Sequence, residues 1–416
     1  MMARKKYLLL PGAALAAALL LVQQEHPAED PPGSAQPTAV WDEPPAGGGE
    51  KAEQRERLSV SVSLDEQEYA ALSERSRLWA QRHPGWDIQL VNSTPAETGT
   101  GEWRRRALLG EAGDIVLLPS SEIIPLAAAG VLLPLDKLMA GSAGFGGSGA
   151  FWEPLYWNGY LWGVPRDADP DVLVWKDSKL MEAGLLRPPT AWEEMELAGA
   201  GHPGVATVLI GRNDAGAAAA WVAGWKPEAG AERLPERLKQ ALSGKGDGGG
   251  MQAYSSYEEA EAAMAAGKAF SAIIPWSEYR RWNPGAGYTP DYRLALDTAS
   301  LRMRSYGIMA TSASPDAAAA WIAGMTESAA GKGAADAAYR LLPKQSLYIG
   351  DSSGEGGFPA DWQPQLFQGK EGRLHLHGAD LLAPLWKSYW NARGGMPPEQ
   401  LASSWLEAIE KRPSAK

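Results

Sequence analysis

Short apolar strands alternate with capped helices along most of the chain, and this alternation restricts the possible folds more than any other feature. Leu58 to Ser63 alternates apolar and polar residues, which predicts a strand with one apolar face. The capping box Ser63-Leu64-Asp65-Glu66 predicts a helix that runs towards Arg82. The apolar run Ile115 to Leu118, bounded by breakers, predicts a buried parallel strand. We therefore expect α/β layers with mostly parallel sheets.

Length and composition exclude several classes of protein. A chain of 416 residues exceeds what one hydrophobic core usually holds, so we expect two lobes. The formal net charge of -11 repels nucleic acid and anionic lipid, and we expect no nucleic-acid partner. The lack of cysteine excludes disulfides, thiolate metal sites, iron–sulfur clusters and a cysteine nucleophile.

The N-terminus has the order of a secretory signal. A basic run at residues 4–6 precedes an apolar run over 7–22. No small-x-small cleavage site lies directly behind it, so residues 1–22 are either a signal peptide or an uncleaved membrane anchor. Residues 23–56 are rich in Pro, Gly and Glu, which predicts a disordered linker. We expect the folded part outside the cytoplasm, either tethered at the cell surface by the N-terminal segment or secreted after cleavage.

Four sequence blocks resemble those of a known family. They cover residues 113–136, 157–194, 260–276 and 306–343. The second opens with Trp157-Asn158-Gly159-Tyr160-Leu161-Trp162-Gly163-Val164-Pro165, and the third ends in Pro275-Trp276. In this order and spacing the blocks resemble the extracellular solute-binding proteins of ABC importers, in the group typified by maltose-binding protein. The chain departs from that family by lacking a lipobox cysteine and by carrying Lys176 where asparagine is common.

The resemblance implies a two-lobed, type II periplasmic-binding-protein-like α/β fold, with the ligand cleft between segmented lobes joined by crossovers. Residues 57–165 and about 295–335 are expected to form the first lobe. Residues 166–294 and about 336–416 are expected to form the second. Such a cleft suits a sugar, because two lobes can close over a ligand and surround it with hydrogen-bonding groups.

The function implied by this resemblance is a receptor that captures a small solute, a sugar or oligosaccharide, for an ABC importer. We expect a monomer that needs no cofactor, is not an enzyme, and has the saccharide and the permease subunits as partners. The missing lipobox leaves a second alternative, a membrane-anchored sugar sensor of the same fold that signals through a partner. A third alternative, a carbohydrate-active enzyme, needs a catalytic carboxylate pair. The adjacent Glu193 and Glu194 do not face each other on a helix.

Two tryptophans are candidates for stacking against a sugar ring. Trp276 ends the third block, where the family often places a stacking aromatic residue. Trp386 lies in a C-terminal segment that resembles one supplying a second aromatic platform in maltose-binding relatives. For each tryptophan the alternative is a place in the hydrophobic core, because aromatic residues of pockets and cores look alike in sequence.

Polar candidates follow the expected strand ends. Arg166, Asp167 and Asp169 come after Pro165 at the crossover, where carboxylates and a guanidinium can bind pairs of sugar hydroxyls. The alternative for these three is a solvated turn. The remaining candidates follow two strands of the first lobe, and for them helix capping is the alternative; they are Asp65, Glu66, Ser121 and Glu122.

Histidines give a weak indication of metal binding. His375 and His377 flank Leu376 and can lie on one strand face. A catalytic zinc needs three protein ligands, and the sequence offers no third. We therefore predict no metal site.

Overall fold

The structure is a computed structural model in which the described residues are 55–93, 100–141, 149–225, 234–243, 249–282, 287–292, 294, 301–328, 340–343, 362, 366–367, 379–391 and 395–411. All of them belong to one unit, Glu53–Lys416. In these ranges no helix is long and apolar enough to cross a membrane. The predicted signal or anchor, nearly all of the predicted linker, and both candidate histidines lie outside the described residues.

Strands and helices alternate through most of this unit. In the first half the elements are β1 (Glu56–Val62), α1 (Glu66–Arg82), β2 (Trp86–Asn92), α2 (Thr100–Leu109), β3 (Ile115–Pro119), α3 (Ser120–Ala128), a 3-10 helix (Glu153–Leu155), β4 (Tyr156–Trp157), β5 (Tyr160–Leu161), β6 (Val164–Asp167), β7 (Asp171–Lys176), α4 (Asp177–Glu182) and α5 (Trp192–Ala200). They continue with β8 (Ala206–Gly211), α6 (Ala215–Gly224), α7 (Leu234–Ser243), β9 (Gly249–Tyr254), α8 (Tyr257–Ala265), β10 (Ala269–Pro275), α9 (Trp276–Arg281), β11 (Tyr288–Asp291), β12 (Arg304–Ile308), α10 (Pro315–Ser328), α11 (Ala379–Asn391) and α12 (Pro398–Glu410).

Two five-stranded sheets organise these elements. The first sheet has the order β2-β1-β3-β12-β6, and the second has the order β11-β7-β10-β8-β9. We call each sheet with the helices that pack on it the first and the second lobe. The α/β class predicted from the alternation is confirmed by these sheets.

The expectation of mostly parallel sheets is wrong. Among the described strands, parallel pairing is confined to β1 with its neighbours β2 and β3, and to β8 with its neighbours β9 and β10. β12 runs antiparallel to both β3 and β6, and β7 runs antiparallel to both β10 and β11. The strands next to the crossovers therefore break the parallel order, because they enter or leave a sheet from the other lobe.

The crossovers lie side by side. The chain passes from the first sheet to the second through Ala168–Pro170, between β6 and β7, and re-enters the first sheet through residues 301–303. Ala168 exchanges two backbone hydrogen bonds with Leu341, at 2.8 and 2.7 Å, and Asp169 N donates to Leu301 O at 3.0 Å. Three chain segments thus meet between the sheets. The predicted lobe boundaries in sequence stay a prediction.

Helix α1 begins later than its capping box predicts. The side chain of Asp65, not Ser63, caps the helix by accepting a hydrogen bond from Glu68 N at 2.8 Å. Leu64 N donates instead to the Asn92 side chain at 2.9 Å, which keeps the preceding residues extended towards β2. The strand β1 is therefore tied to β2 up to the residue before the cap.

Close packing of α1 on α10 gives a testable prediction about the fold. A Cβ at Gly324 would lie 2.5 Å from Trp79 Cδ1, and Trp79 is buried and stacked on His83 at 3.8 Å. We expect Gly324→Ala to lower the free energy of unfolding, because overpacking costs about 1–3 kcal/mol and the gain in helix propensity is at most about 1 kcal/mol. Gly101→Ala on α2 is the control, since nothing lies within 4 Å of its Cβ position. Equal denaturation midpoints for the two variants would contradict this packing.

Candidate functional site

A polar cavity of about 410 Å3 lies between the two sheets, beside the crossovers. The first lobe contributes Asp65, Pro119, Ser121 and Arg304 to its walls. The second lobe contributes Tyr257, Pro275, Ser277, Glu278 and Arg281, and the crossovers contribute Asp169, Arg302, Met303 and Arg340. Among the described lining residues Tyr257 is the only aromatic one. Most of the lining side chains are polar or charged, so the cavity is suited to a hydrophilic ligand.

The Arg304 guanidinium is the centre of a buried charge network at this cavity. Its Nε and Nη2 donate to the two carboxylate oxygens of Asp167 at 2.8 and 2.6 Å. Its Nη1 and Nη2 donate to Glu68 at 2.9 and 2.5 Å. One side chain thereby joins β12, β6 and α1 through two forked ion pairs, the strongest geometry for arginine.

The ionisation of both carboxyls depends on this guanidinium. Burial alone raises the pKa of Asp167, but the charges of Arg304 and Arg166 outweigh it and hold that pKa well below its ordinary value of 3.8. Burial likewise raises the pKa of Glu68, while the hydrogen bonds and charge of Arg304 lower it below 4.5. Both carboxyls therefore stay ionised at neutral pH inside the protein.

Arg340 and Asp169 extend the network across the crossovers. Arg340 Nε lies 3.1 Å from Glu68 Oε1, and its Nη2 lies 3.5 Å from Asp169 Oδ2. Asp169 in turn accepts hydrogen bonds from Ser277 N at 2.9 Å and from Ser277 Oγ at 2.7 Å, at the start of α9. A polar path thus runs from α1 in the first lobe to α9 in the second.

Arg302 makes the corresponding contacts with the second lobe. Its Nε donates to Asp171 Oδ1 at 2.7 Å, and its Nη2 forms an ion pair with Asp214. Asp214 also caps α6 by accepting from Ala217 N at 2.9 Å. Arg302 has a φ of 43°, a left-handed conformation that non-glycine residues seldom adopt.

Glu278 is a cavity carboxyl with a different environment. Burial raises its pKa, and the nearby Arg281 guanidinium opposes this without reversing it. Arg281 Nη1 donates to Glu278 Oε1 at 2.5 Å, and 46% of the arginine side chain is exposed. The pair lies on α9 and therefore belongs to the second lobe.

The structure brings several predicted site residues to this cavity. Asp65, Ser121 and Asp169 line it. Asp167 lies behind it, with both carboxylate oxygens bound by the cavity residue Arg304. Arg166 is not a lining residue, and its Nη1 lies 3.3 Å from Asp167 Oδ2. Their roles in ligand binding stay predictions.

The two predicted glutamates lie on helices beside the cavity and are not lining residues. Glu66 is exposed in the first turn of α1, next to the capping Asp65. Glu122 is half-buried in the first turn of α3, one residue beyond Ser121. Of the four first-lobe candidates, Asp65 caps its helix, so the capping alternative is met at that residue.

The predicted tryptophans are buried in aromatic clusters. Trp276 is next to the lining residue Ser277, but its ring packs against Tyr279 at 5.3 Å and Trp362 at 5.5 Å between centroids. Trp386 has no exposed surface and packs in the second lobe against Trp390 at 5.6 Å. These positions favour the core alternative, most strongly for Trp386.

Sequence analysis missed the cavity arginines, Tyr257 and Glu278. Tyr257 and Glu278 lie in the first turns of the helices that follow β9 and β10, where ligands of α/β sheets commonly bind. Leu301-Arg302-Met303-Arg304 alternates apolar and basic residues just ahead of the fourth block, and this pattern was the available signal for two of the arginines. Within the described ranges no group of histidines and carboxylates could hold a metal ion.

Comparisons with known proteins agree with this architecture. Residues 79–343 match the family of bacterial extracellular solute-binding proteins. The fold is similar to the GacH receptor of Streptomyces glaucescens, solved unliganded and with acarbose, with a TM-score of 0.64, 16% identity and coverage of 85% of this chain and 97% of that chain. The fold is also similar to the domain MalE from Bdellovibrio bacteriovorus, bound to maltotriose, with a TM-score of 0.61 and 15% identity. That match covers 85% of this chain and 99% of that chain.

A third similar structure contains a different ligand. UgpB from Mycobacterium tuberculosis, in complex with glycerophosphocholine, has a TM-score of 0.63 and 16% identity and covers 85% of this chain and 98% of that chain. No curated protein matches the sequence. At these identities the structures establish the fold, and the predicted two-lobed fold is confirmed.

The charge network predicts a pH-dependent effect of Arg304→Met. Removing the guanidinium leaves two buried carboxylates without their main counter-charge. We therefore expect the free energy of unfolding to fall by about 3–5 kcal/mol at neutral pH. In the wild type, both carboxyl pKa values are lower in the folded state. The wild type therefore holds this stability above about pH 4.5 and loses it as the pH falls. The deficit of the variant should shrink on acidification, because its carboxyls can then protonate.

The measurement is urea denaturation at several pH values. Arg105→Met is the control, since it removes an exposed ion pair with Glu102 from the same lobe and should have a much smaller effect. A deficit for Arg304→Met that stays constant from pH 7 to about pH 3 would show that the lost guanidinium acts through packing and not through the carboxylates.

Proposed function

The chain belongs to the bacterial extracellular solute-binding proteins, and from this premise we propose that it captures a small saccharide between its two lobes for an ABC importer. The family consists of substrate-binding proteins. The observation that carries the proposal is the cavity between the sheets, to which both lobes and the crossovers contribute walls. A ligand there gains its full set of contacts only when the lobes close, so binding favours the closed state.

The chemistry of the walls favours a neutral, hydroxyl-rich ligand. Arg304 has its donors bound by carboxylates, and Arg302 forms two ion pairs. Asp169 accepts two hydrogen bonds from Ser277, and Arg340 Nη2 lies 3.5 Å from its carboxylate as the opposite charge. Because these charges are already neutralised, the site gains little from a further charge, whereas hydroxyls can both donate to and accept from its edges.

The volume and the relatives point in the same direction. A cavity of about 410 Å3 is in the range of small-molecule sites. Two of the similar structures contain acarbose or maltotriose. Tyr257 offers the flat aromatic face against which a sugar ring packs, together with a polar hydroxyl.

A thermal-shift screen tests the proposed ligand class. The panel holds neutral mono-, di- and trisaccharides, a uronic acid, a sugar phosphate and glycerophosphocholine. We expect the unfolding midpoint to rise with one or more neutral saccharides, since a ligand that binds the folded state stabilises it by mass action. A rise with glycerophosphocholine or the charged sugars alone would overturn the proposed ligand class.

Tyr257→Ala should weaken binding of the saccharide found in that screen. Loss of its apolar contact is worth about 1–3 kcal/mol, or roughly tenfold to a hundredfold in affinity. Titration calorimetry measures the change. Tyr160→Ala is the control, because that tyrosine is exposed on the β4–β5 hairpin and is not a lining residue. Equal affinities for the two variants would remove Tyr257 from the ligand site.

Closure predicts a change in overall dimensions. We expect a smaller radius of gyration with saturating saccharide than without it, because the lobes approach as rigid bodies. Small-angle scattering measures both states. Superimposable curves at saturation would rule out closure as the response to the ligand.

The remaining parts of the proposal concern export and partners. We propose that residues 1–22 direct export and that residues up to 56 tether the protein, which acts as a monomer and delivers its ligand to the permease subunits. The comparisons give no support to the sensor alternative. N-terminal sequencing of the protein from bacterial culture tests the tether, and a soluble form that begins beyond about residue 28 would favour a cleaved signal peptide.

A further inference from the structure

The outer edge of the first sheet is a strand with outward-facing backbone groups. β2 ends the strand order of that sheet, and among the described strands it pairs only with β1. At the two ends of this pairing, Glu56 N donates to Gly85 O at 2.9 Å and Ser93 N donates to Val62 O at 2.8 Å. Because the backbone groups of successive residues in a strand point to opposite sides, the odd-numbered residues of β2 bond to β1 and the even-numbered ones face outwards.

Most of these outward groups are unused within the described part of the chain. Trp86 N donates to His83 O at 3.0 Å, and Leu90 O accepts from the Tyr69 hydroxyl at 3.2 Å. Trp86 O, both backbone groups of Ile88 and Leu90 N make no hydrogen bond among the described residues. Four consecutive groups on this edge can therefore bond to another backbone.

A groove of about 450 Å3 lies between β2 and α1, beside the same edge. The side chains of β2 that line it belong to the residues whose backbone faces outwards, Trp86, Ile88 and Leu90. Tyr69 and Ala80 are among the α1 residues that form the opposite wall. A strand added at the edge would therefore place alternate side chains in the groove, next to one indole and two aliphatic side chains.

β2 lacks the features that usually protect an exposed sheet edge. It has seven residues in unbroken register and contains neither proline nor lysine. The other edge strand of the first sheet, β6, has four residues and contains Pro165. In the second sheet the edge strand β11 has four residues and contains Pro290. A long, regular edge without such features is the kind to which a further extended segment can pair.

We propose that β2 and the groove bind an extended segment of a partner protein, which adds a strand to the five-stranded first sheet. Its backbone bonds to the free groups of Trp86, Ile88 and Leu90, which supplies affinity, and its alternate side chains enter the groove, which supplies specificity. The side chains that enter the groove are apolar, because they meet the apolar side chains of β2 there.

Charge determines the polar side chains of the segment. On the face of β2 opposite the groove, Asp87 and Gln89 are exposed, and Asp87 is the only ionisable residue of the strand. Opposite charges on neighbouring strands stabilise the pair. In the groove itself, Arg77 is already bound by Glu74 at 2.6 Å, and Arg55 lies at one end, before β1 begins. The partner segment therefore carries basic side chains between its apolar ones.

Net charge also argues against a second copy of this chain as the occupant. Each copy has a formal charge of -11, so two copies repel each other, whereas a basic segment is attracted. The groove shares no lining residue with the cavity between the sheets. The proposal does not rest on the proposed function, and either can fail alone.

A synthetic peptide tests the edge. The probe is a fluorescently labelled peptide of about eight residues in which valine alternates with lysine, and fluorescence anisotropy measures its binding to the full chain. We expect binding about tenfold tighter than for a peptide of the same composition with its valines grouped at one end, since only alternation puts every valine on the groove face. Equal binding of the two peptides would overturn the proposal.

Backbone methylation separates strand addition from simple apolar contact. Alternate N–H groups of a strand point to the same side, so methylating every second residue of the peptide blocks the donors that face β2 or blocks those that face away. We expect one of the two alternately methylated peptides to bind about tenfold more weakly and the other to keep its affinity. If both lose affinity equally, the peptide is not held as a strand.

Ile88→Pro makes the matching change in the protein. Ile88 N faces outwards without a partner among the described residues, so proline removes a donor that only the added strand uses. Ile88→Ala is the control, because it also shortens the side chain but keeps the N–H. We expect the proline variant to bind the alternating peptide about tenfold more weakly than the alanine variant, with unfolding midpoints recorded to show that both are folded.

Equal affinities of two folded variants would contradict a backbone bond at Ile88. If the proline variant does not fold, the pair of methylated peptides decides the question on the wild type. Sedimentation of the wild type without peptide tests the other occupant. A dimer that Ile88→Pro dissociates would assign the edge to a second copy of the chain and overturn the proposal.

Discussion

The forked ion pairs of Arg304 are the interaction on which the arrangement of the site depends. Arg304 begins the strand that returns from the second lobe, and its partners Glu68 and Asp167 belong to a helix and a strand that are far from it in sequence. A buried guanidinium is tolerated only when its donors are bound, and both carboxylates are tolerated only beside it. The three elements therefore have to meet in one register.

This arrangement explains why the floor of the cavity is so polar. The groups that hold the crossovers together are the same groups that line the space between the lobes, among them Arg304, Arg340 and Asp169. Stability alone does not require such a floor, because buried ion pairs often stabilise a fold no more than packed hydrophobic residues of the same volume. Polar groups that hold one another rigidly are a suitable surface for a hydroxylated ligand, because little side-chain entropy is lost when the ligand binds to groups that are already ordered.

Local patterns in the sequence predicted the elements well and their meeting points poorly. Ile115 to Leu118 form a buried strand as predicted, because a short, continuous apolar run between turn-forming residues is typical of a strand with both faces buried. The direction of β12 could not be predicted, since it depends on which lobe the chain comes from. Asp169 was predicted from its place after Pro165 at the crossover and does line the cavity. Arg340 comes from a third chain segment, and no periodicity links it to Glu68. Trp386 shows the opposite difficulty, because an indole in a core and an indole in a cleft have the same sequence pattern.

The two crossover arginines are each bound to a different lobe. Arg302 is bound to Asp171 and Asp214 of the second lobe, whereas Arg304 is bound to the first lobe. Only Met303 separates them. On the other crossover, Asp167 is bound to Arg304 and Asp171 to Arg302, so Ala168–Pro170 lie between the two fixed ends. In the proposed closure, a rotation of one lobe against the other would be absorbed by these few residues together with the adjoining segment at Arg340 and Leu341. The left-handed φ of Arg302 lies at one end of this hinge, a conformation that persists only where surrounding contacts enforce it.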